Sequence, residues 1–193
     1  VIPVENAKPC YLKYKPESEI SVIPQGFDNS GIRTQDYKPH PRPTFAYAGR
    51  FYRNTRDPRP LFEHLASLDT DFEFVLYLID IEPYFEEMIK EFQTKVKGDI
   101  TIKPALQRDE LIYELSGMDF VVNHSFSYST ATPSKLIDYA LTGRPVYSFS
   151  PVEFDIAKFD RFLRGDYSGA WELPPVEEYE IKNIAKKFLA MSE

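Results

Sequence analysis

The sequence lacks the features that define several large classes of protein. Its 193 residues contain one cysteine, Cys10, which excludes an internal disulfide framework and favours a reducing compartment. No apolar run approaches the roughly 20 residues that a membrane-spanning helix needs. The hydrophobic fraction of 42% and the charged fraction of 27% are ordinary for a globular protein, so collagen-like and disordered chains are excluded. The length predicts one domain, or at most a small second one.

Several catalytic and cofactor motifs are also missing. The chain has no Gly-x-Gly-x-x-Gly fingerprint for a nicotinamide cofactor and no Gly-Lys-Ser/Thr phosphate loop. The three histidines, His40, His64 and His124, have no metal-ligand spacing with Cys10 or with one another. The serines within residues 125–129 lack the glycine-flanked pattern of a nucleophile elbow. We therefore expect neither a metal nor an organic cofactor.

Acidic residues are nearly absent from one stretch of an otherwise acidic chain. The 30 acidic and 23 basic side chains give a formal net charge of −7. Five of the arginines nevertheless fall within residues 42–59, where Asp57 is the one acid. A duplex-DNA-binding protein usually carries a broad basic face, so we expect no nucleic-acid partner. A local arginine cluster instead favours a compact anion such as a phosphate.

From residue 44 onward, short apolar segments alternate with amphipathic ones. The pattern predicts strands at 44–48, 72–79, 99–103, 120–122 and 145–149, and helices at 58–68, 85–96, 108–116, 133–141, 154–163 and 181–189. Gly98 is predicted to end the second of these helices. The predicted strands are apolar on both faces. The alternation of strands and helices therefore predicts an α/β fold, a doubly wound parallel sheet of Rossmann-like type.

The two ends of the chain are less regular. We interpret residues 1–19 as a linker or incoming segment, residues 20–165 as the Rossmann-like core, and residues 166–193 as a C-terminal loop and helix. Residues 21–23 are predicted to form a short strand. The chain opens with Val1 and has no secretory signal pattern, so we expect it to be a fragment of a longer protein.

Ligands of an open parallel sheet bind beyond the carboxyl ends of its strands, so the loops there are the candidate sites. After the first strand, Gly49 allows close backbone approach and the arginines that follow suit phosphate, although a solvated basic loop is the alternative. Before the fourth helix, Lys135 opposes the helix dipole, a cost that a bound anion would reverse; the alternative is an exposed lysine. His124, at the tip of the fourth strand, is either within reach of a ligand or a structural histidine.

Three segments together resemble a known family. They are Ser21-Val-Ile-Pro-Gln-Gly-Phe-Asp28, Tyr47-Ala-Gly-Arg50 and Pro133-Ser-Lys-Leu-Ile-Asp-Tyr-Ala-Leu-Thr-Gly-Arg-Pro-Val146. In this order and spacing they resemble the C-terminal, donor-binding half of a retaining GT-B glycosyltransferase of the glycosyltransferase group 1 type. The resemblance covers about residues 20–150. It implies a single C-terminal domain of a GT-B architecture, with the N-terminal acceptor-binding domain absent from this chain.

The resemblance implies roles for the residues that match the family pattern. Gly49, Arg50 and Arg56 stand where the family binds the diphosphate of a nucleotide sugar, and Arg50 and Arg56 are the candidate catalytic residues. The helix-end amides near Ser134 and Lys135 would meet the same phosphates.

The remaining donor contacts follow in the same way. Asp138 stands where an acidic residue of the family binds the ribose hydroxyls. Residues Lys103, Pro104 and Leu106, in the loop after the third strand, would border the base. The donor is then a substrate, and the resemblance requires no metal.

One position departs from the family pattern. Many members carry two glutamates eight positions apart, the first near the transferred sugar, and counting back from Asp138 gives Thr130. Thr130 and its neighbour Ser129 are therefore the sugar-proximal candidates, and the departure leaves the sugar and the activity open. A non-catalytic nucleotide-sugar-binding module is one alternative, and a GT-B nucleotide-sugar epimerase with His124 as its acid or base is another.

The resemblance also implies partners and a location. The donor would be a nucleotide-diphosphate sugar, and the acceptor, a bacterial surface polysaccharide or glycolipid, would be bound by the absent half. We expect a cytoplasmic protein, at the inner face of the membrane if that half makes peripheral contact. The isolated domain is expected to be inactive in transfer.

Overall fold

The computed structural model describes residues 1–125, 134–150 and 152–191 of the chain. The chain divides into two compact units. The sheet unit comprises residues 33–127 and 142–172, and the terminal unit comprises residues 1–32, 128–141 and 173–193.

The sheet unit contains a parallel sheet of five strands within the described residues. The strands are β1 (Thr44–Gly49), β2 (Glu73–Leu78), β3 (Asp99–Pro104), β4 (Phe120–His124) and β5 (Val146–Phe149), in the spatial order β3-β2-β1-β4-β5. The α-helices of the two units are α1 (Lys8–Tyr11), α2 (Arg59–Ser67), α3 (Pro83–Gln93), α4 (Arg108–Ser116), α5 (Ser134–Thr142), α6 (Ile156–Leu163) and α7 (Ile181–Leu189). This order confirms the predicted Rossmann-like fold class.

Burial along the strands follows their place in the sheet. The central strands β1, β2 and β4 are buried along nearly their whole length, as their apolar sequences predict. Strand β3 lies at an edge and is exposed at most positions, with Ile100 as its buried residue. The prediction that all strands are covered on both faces is therefore wrong for β3. Strand β5, at the other edge of the sheet, is buried at three of its four positions.

A row of three phenylalanines crosses the middle of the sheet. Phe45 of β1 is the register partner of Phe74 on β2 and of Phe120 on β4. Its ring stacks on theirs with centroid distances of 4.6 Å and 4.7 Å, the spacing of neighbouring strands. Phe159 of α6 packs edge-on against Phe45 at 5.7 Å and so joins this helix to the same core.

The structural role of Gly98 differs from the predicted one, which was to end a helix. Helix α3 ends at Gln93, five residues earlier, so Gly98 is not its terminal glycine. Instead, the chain at Gly98 passes directly over the backbone of Phe72, and the N–H of Asp99 donates to the carbonyl of Phe72 at 2.8 Å. A Cβ atom at Gly98 would lie 2.4 Å from that carbonyl oxygen. Close backbone approach at the entry to β3 therefore requires glycine here.

We predict that Gly98→Ala lowers the free energy of unfolding by about 1–3 kcal/mol, because the added methyl group overlaps a backbone atom that cannot move aside. Urea denaturation measures the change. The control is Gly31→Ala, since a Cβ at Gly31 meets nothing within 4 Å. Equal stability of the two variants would contradict the packing argument.

A buried carboxylate fixes the amino ends of the central strands. Asp119, just before β4, accepts hydrogen bonds from the N–H of Thr44 at 2.8 Å, from the Tyr37 hydroxyl at 2.8 Å and from the N–H of His40 at 3.2 Å. Burial raises the pKa of Asp119, but these donors outweigh burial and hold the pKa below its ordinary value of 3.8. Asp119 therefore ties the segment that precedes β1 to the start of β4.

We predict that Asp119→Asn lowers the free energy of unfolding at pH 7 by about 1–3 kcal/mol, because buried donors lose a charged acceptor. The folded pKa lies below the unfolded value of about 3.9, so the stabilisation is fully present above the unfolded value and is lost as the pH falls from there through the folded pKa. Denaturation series from about pH 7 down to about pH 2 should accordingly show a weaker pH dependence in the variant. Asp36→Asn, at an exposed position, is the control, and the same loss in both variants would contradict the assignment.

The terminal unit is held by short backbone contacts. Ile2 pairs with Val22 in a single parallel bridge, so the predicted strand at residues 21–23 is reduced to one bridge outside the sheet. Phe27 and Glu180 form a second bridge. Helix α7 packs close to Gly26 through Ile184, the buried residue of its apolar face.

Candidate functional site

The carboxyl ends of β1, β2 and β3 are level with one another. Gly49 at the end of β1 pairs with Leu78 at the end of β2, and Leu78 pairs with Pro104 at the end of β3. From β1 the chain proceeds outward to β2 and β3, and then returns to β4 on the other side of β1. The switch point of the sheet, where ligands of such folds bind, therefore lies between the carboxyl ends of β1 and β4.

The first candidate segment, residues 49–56, leaves β1 at this switch point and is called the arginine loop. Gly49 has a φ of +141°, a value that side-chain-bearing residues rarely adopt. The Tyr47 hydroxyl donates to the carbonyl oxygen of Arg50 at 2.9 Å. The buried ring of Phe51 stacks on the ring of Tyr47 at 4.6 Å. The root of the loop is thus anchored to the strand by packing as well as by hydrogen bonding.

The two predicted arginines share one aromatic ring. The N–H of Arg56 donates to the carbonyl of Tyr52 at 2.8 Å and the N–H of Tyr52 donates to the carbonyl of Arg56 at 3.3 Å, which closes a tight turn. The guanidinium carbons of Arg50 and Arg56 lie 5.5 Å and 6.0 Å from the centroid of the Tyr52 ring. Both distances lie within the range of cation–π attraction. The structure therefore brings Arg50 and Arg56 together on Tyr52, although six positions separate them in the sequence.

Carboxylates that follow β2 lie beside the arginine loop. Asp80 Oδ2 is 3.6 Å from Arg50 Nη1, and Glu82 Oε2 is 3.5 Å from Arg53 Nε. Asp80 has a φ of +47°, the left-handed region that aspartate tolerates better than most residues. Sequence reasoning missed both acids, because the chain places them about thirty residues after the arginines; their position directly after a predicted strand was the available signal.

The other arginines of the sequence cluster have different surroundings. Arg53 lies over the Tyr84 ring at 4.2 Å, and Arg59 donates to the Tyr84 hydroxyl. Arg42 is at the opposite end of the sheet, where it contacts three carboxylates, those of Asp71, Glu73 and Asp99. The five arginines that cluster in the sequence therefore do not form one cluster in the structure, because β1 lies between Arg42 and the arginine loop.

The base-bordering candidates lie at the outer edge of the sheet. Lys103 and Pro104 are the last residues of β3, and Leu106 follows them. The ammonium group of Lys103 is 3.7 Å from Glu114 Oε2 and 5.6 Å from the Tyr77 ring centroid. Two strand spacings, about 10 Å, separate Pro104 from Gly49.

The remaining candidates belong to the terminal unit. Ser134, Lys135 and Asp138 occupy the first turns of α5, where the Lys135 ammonium lies 5.7 Å from the Tyr139 ring centroid. Thr130 and Ser129, the sugar-proximal candidates, lie outside the described residues, as does the segment that precedes α5.

His124 is a core residue. Its side chain is fully buried and stacks on the Phe149 ring at 4.3 Å. This burial agrees with the interpretation of His124 as a structural histidine. Within the described ranges, no group of three or more histidine, cysteine, aspartate or glutamate side chains has a geometry for a metal ion. No helix in those ranges has both the length and the apolar character needed to span a bilayer.

Several solved structures that share this architecture are glycosyltransferases. The chain superimposes on a glycosyltransferase from Rickettsia africae with a TM-score of 0.66 and 15% identity, covering 97% of this chain and 61% of that one. It also matches HepE (Alr3699) of Anabaena, in complex with UDP-glucose, with a TM-score of 0.64 and 11% identity, covering 99% of this chain and 62% of that one. The apo form of WaaB, a lipopolysaccharide outer core galactosyltransferase, matches with a TM-score of 0.62 and 12% identity, covering 94% and 57%.

The chain has the fold of the GT-B glycosyltransferases. It spans 57–62% of the length of these three structures. No family model matches the sequence, and no curated protein matches it. The agreement with these structures confirms the predicted fold. At sequence identities of 11–15% such agreement concerns the fold alone, so the ligand and the reaction are matters for proposal.

We predict that Asp80→Asn strengthens the binding of inorganic pyrophosphate about two- to fivefold. The Asp80 carboxylate competes with an added anion for Arg50, and an exposed ion pair of this kind is worth up to about 1 kcal/mol. Isothermal titration calorimetry at low ionic strength measures the change. Asp109→Asn, at an exposed site on α4, alters the net charge equally and is the control. An equal gain in both variants would show an effect of net charge alone.

Proposed function

We propose that this chain is the donor-binding domain of a retaining glycosyltransferase and that its arginine loop binds the diphosphate of a nucleotide sugar. The observation that carries the proposal is the pairing of Arg50 and Arg56 on the Tyr52 ring, at the carboxyl end of β1 and beside the switch point. Two guanidinium groups that each lie within 6.0 Å of one ring centroid concentrate positive charge at one place, which favours the binding of a polyanion.

The chemistry of arginine supports a diphosphate as the ligand. A guanidinium is planar, carries its charge at any physiological pH and presents paired donors that match two phosphate oxygens. The anchored root of the loop limits the conformational entropy that binding would cost. The positive φ of Gly49 lets the backbone turn sharply where the ligand would approach.

The comparisons support a nucleotide sugar as the class of donor. HepE, one of the structures with this fold, was solved with UDP-glucose bound. In this chain the end of β3 lies about 10 Å from the arginine loop across two strands, a distance that one nucleotide can cover. We propose that Lys103, Pro104 and Leu106 border the base.

A second set of residues is proposed to complete the donor contacts. Ser134 and Lys135, at the start of α5, would contact the phosphates through helix-end amides and charge, and Asp138 would bind the ribose hydroxyls. Thr130 and Ser129 would lie near the transferred sugar. The support for these roles is the sequence resemblance.

The proposed mechanism is electrostatic. As the glycosidic bond to the donor breaks, negative charge develops on the leaving nucleoside diphosphate. Arg50 and Arg56 stabilise that charge with donors already in place, so little reorganisation is needed at the moment of reaction. The acceptor, for which a surface polysaccharide or glycolipid is the proposed class, would be bound by a domain outside this chain, in the cytoplasm.

We predict that one of UDP, GDP, ADP and dTDP binds this chain in isothermal titration calorimetry. Arg50→Ala and Arg56→Ala are each expected to weaken that binding roughly tenfold to hundredfold, because each removes a charged hydrogen-bond donor. Arg53→Ala is the matched control, since its guanidinium lies over Tyr84 and beside Glu82. Asp138→Asn tests the ribose contact separately.

Two results would contradict the proposal. One is the absence of binding by all four nucleotides. The other is near wild-type turnover of Arg50→Ala or Arg56→Ala in the full-length enzyme, where we expect transfer to be abolished.

A non-catalytic nucleotide-sugar-binding module is the second candidate function, favoured by Thr130 at the position of the first family glutamate. Nucleotide binding without any transfer by the full-length protein would identify it.

A further inference from the structure

A cavity lies in the sheet unit, beyond the carboxyl ends of β4 and β5. Its volume is about 410 Å³, within the range of ligand pockets. It is called the serine–tryptophan pocket, and the lining residues used below are Ser125, Ser148, Ser150, Glu153, Lys158 and Trp171. Since β4 separates β5 from β1 in the sheet, the pocket is distinct from the arginine loop.

The polar wall of the pocket is held in place by the backbone. Ser125 donates its hydroxyl to the carbonyl of Phe149 at 3.0 Å. Ser150 and Glu153 exchange two backbone hydrogen bonds of 3.1 Å, which closes the turn after β5. Ser148 Oγ accepts from the Asn123 amide at 2.9 Å, so its hydroxyl hydrogen remains available to donate. The pocket therefore offers preorganised donors and acceptors.

The aromatic wall is equally well supported. The N–H of Trp171 donates to the carbonyl of Val146 at 2.8 Å, which attaches Trp171 to the edge of β5. Two residues earlier, a Cβ at Gly169 would lie 3.2 Å from Lys158 Cε, so the loop passes tightly over α6. Trp171 remains 48% exposed, and its indole presents a broad apolar face beside the hydroxyl and carboxylate groups of the lining.

The lining limits the class of ligand. The lining also includes Asp155, so that two carboxylates, those of Glu153 and Asp155, stand against the one ammonium group of Lys158. The resulting net negative charge disfavours an anion. Within the described part of the chain, no metal-binding group of three side chains exists. Serine hydroxyls and a carboxylate beside an indole suit a ligand with many hydroxyl groups and an apolar C–H face.

We propose that the serine–tryptophan pocket binds a neutral saccharide. The proposal rests on the proposed function, in that a glycosyltransferase handles sugars as donor and as acceptor. The indole of Trp171 packs against the face of the sugar ring, while Ser148 and Glu153 bind its hydroxyl groups. The sugar can come from the donor or from an acceptor glycan, and the chemistry of recognition is the same for both.

The experiment uses the protein's own reporter, because Trp171 is the single tryptophan of the chain. Trp171 fluorescence is titrated with D-glucose, D-galactose, N-acetylglucosamine and maltose, up to the tens of millimolar at which weak sugar sites saturate. We expect a saturable change with at least one of them. Ser148→Ala and Glu153→Gln should each weaken that binding about tenfold.

Controls separate the pocket from general effects. Glu87→Gln, at an exposed position on α3, makes the same chemical change as Glu153→Gln and should leave the affinity unchanged. Trp171→Ala, measured by calorimetry, should weaken binding at least tenfold, and circular dichroism establishes that each variant is folded. No saturable change with any of the four sugars, or binding that both Ser148→Ala and Glu153→Gln leave intact, would overturn the proposal.

A competition arm identifies the source of the sugar. If UDP-glucose displaces the bound saccharide, the pocket holds the sugar of the donor, and if the two bind together, it holds an acceptor glycan. Arg50→Ala separates the two proposals, because it should weaken nucleotide binding while saccharide binding persists. Nucleotide binding without saccharide binding would overturn the pocket alone, whereas the reverse would overturn the proposed donor site alone.

Discussion

The stacked row of Phe74, Phe45 and Phe120 fixes the register of the three central strands. Because side chains alternate along a strand, a slip of one residue would move each ring to the opposite face of the sheet. With the register set, the ends of these strands are set as well, so that Gly49 lies level with Leu78 at the end of β2. The position of the candidate site thus depends on an interaction in the core.

The same register positions the arginine loop. Tyr47, two residues after Phe45 on β1, points its hydroxyl to the Arg50 carbonyl and its ring to Phe51. The loop that follows is short and internally bonded, and both guanidinium carbons lie within 6.0 Å of the centroid of the Tyr52 ring. Asp80 offsets part of the positive charge of Arg50. Donors that are already fixed in position are the condition for efficient electrostatic stabilisation.

Much of the fold could be predicted from local pattern. The bounds of α4 and α7 agree with the prediction residue for residue, because apolar spacing and flanking residues define those helices. The end of α3 was predicted wrongly. Gly98 looked like a helix stop, but its real constraint is the backbone of Phe72, which is distant in sequence and which no local pattern reveals.

The candidate site shows a similar division. The spacing of Arg50 and Arg56, after a strand that ends in glycine, was visible in the chain and indicated an anion site. The Asp80 carboxylate beside Arg50 was not visible, because a residue thirty positions away becomes a neighbour only when two strand ends lie side by side. The roles implied for the remaining candidates stay predictions.

Local periodicity and composition are enough to specify the class of fold, the order of its elements and the presence of an arginine-rich segment. Which charges become neighbours depends on how the strands pair. Strand pairing separates Arg42 from the arginine loop and places it among acids at the opposite end of the sheet. It also brings Trp171 to the edge of β5, beside serine hydroxyl groups that precede it in the chain by 21 to 46 residues. Such neighbours are set by long-range hydrogen bonds and packing, which have no counterpart in a local pattern.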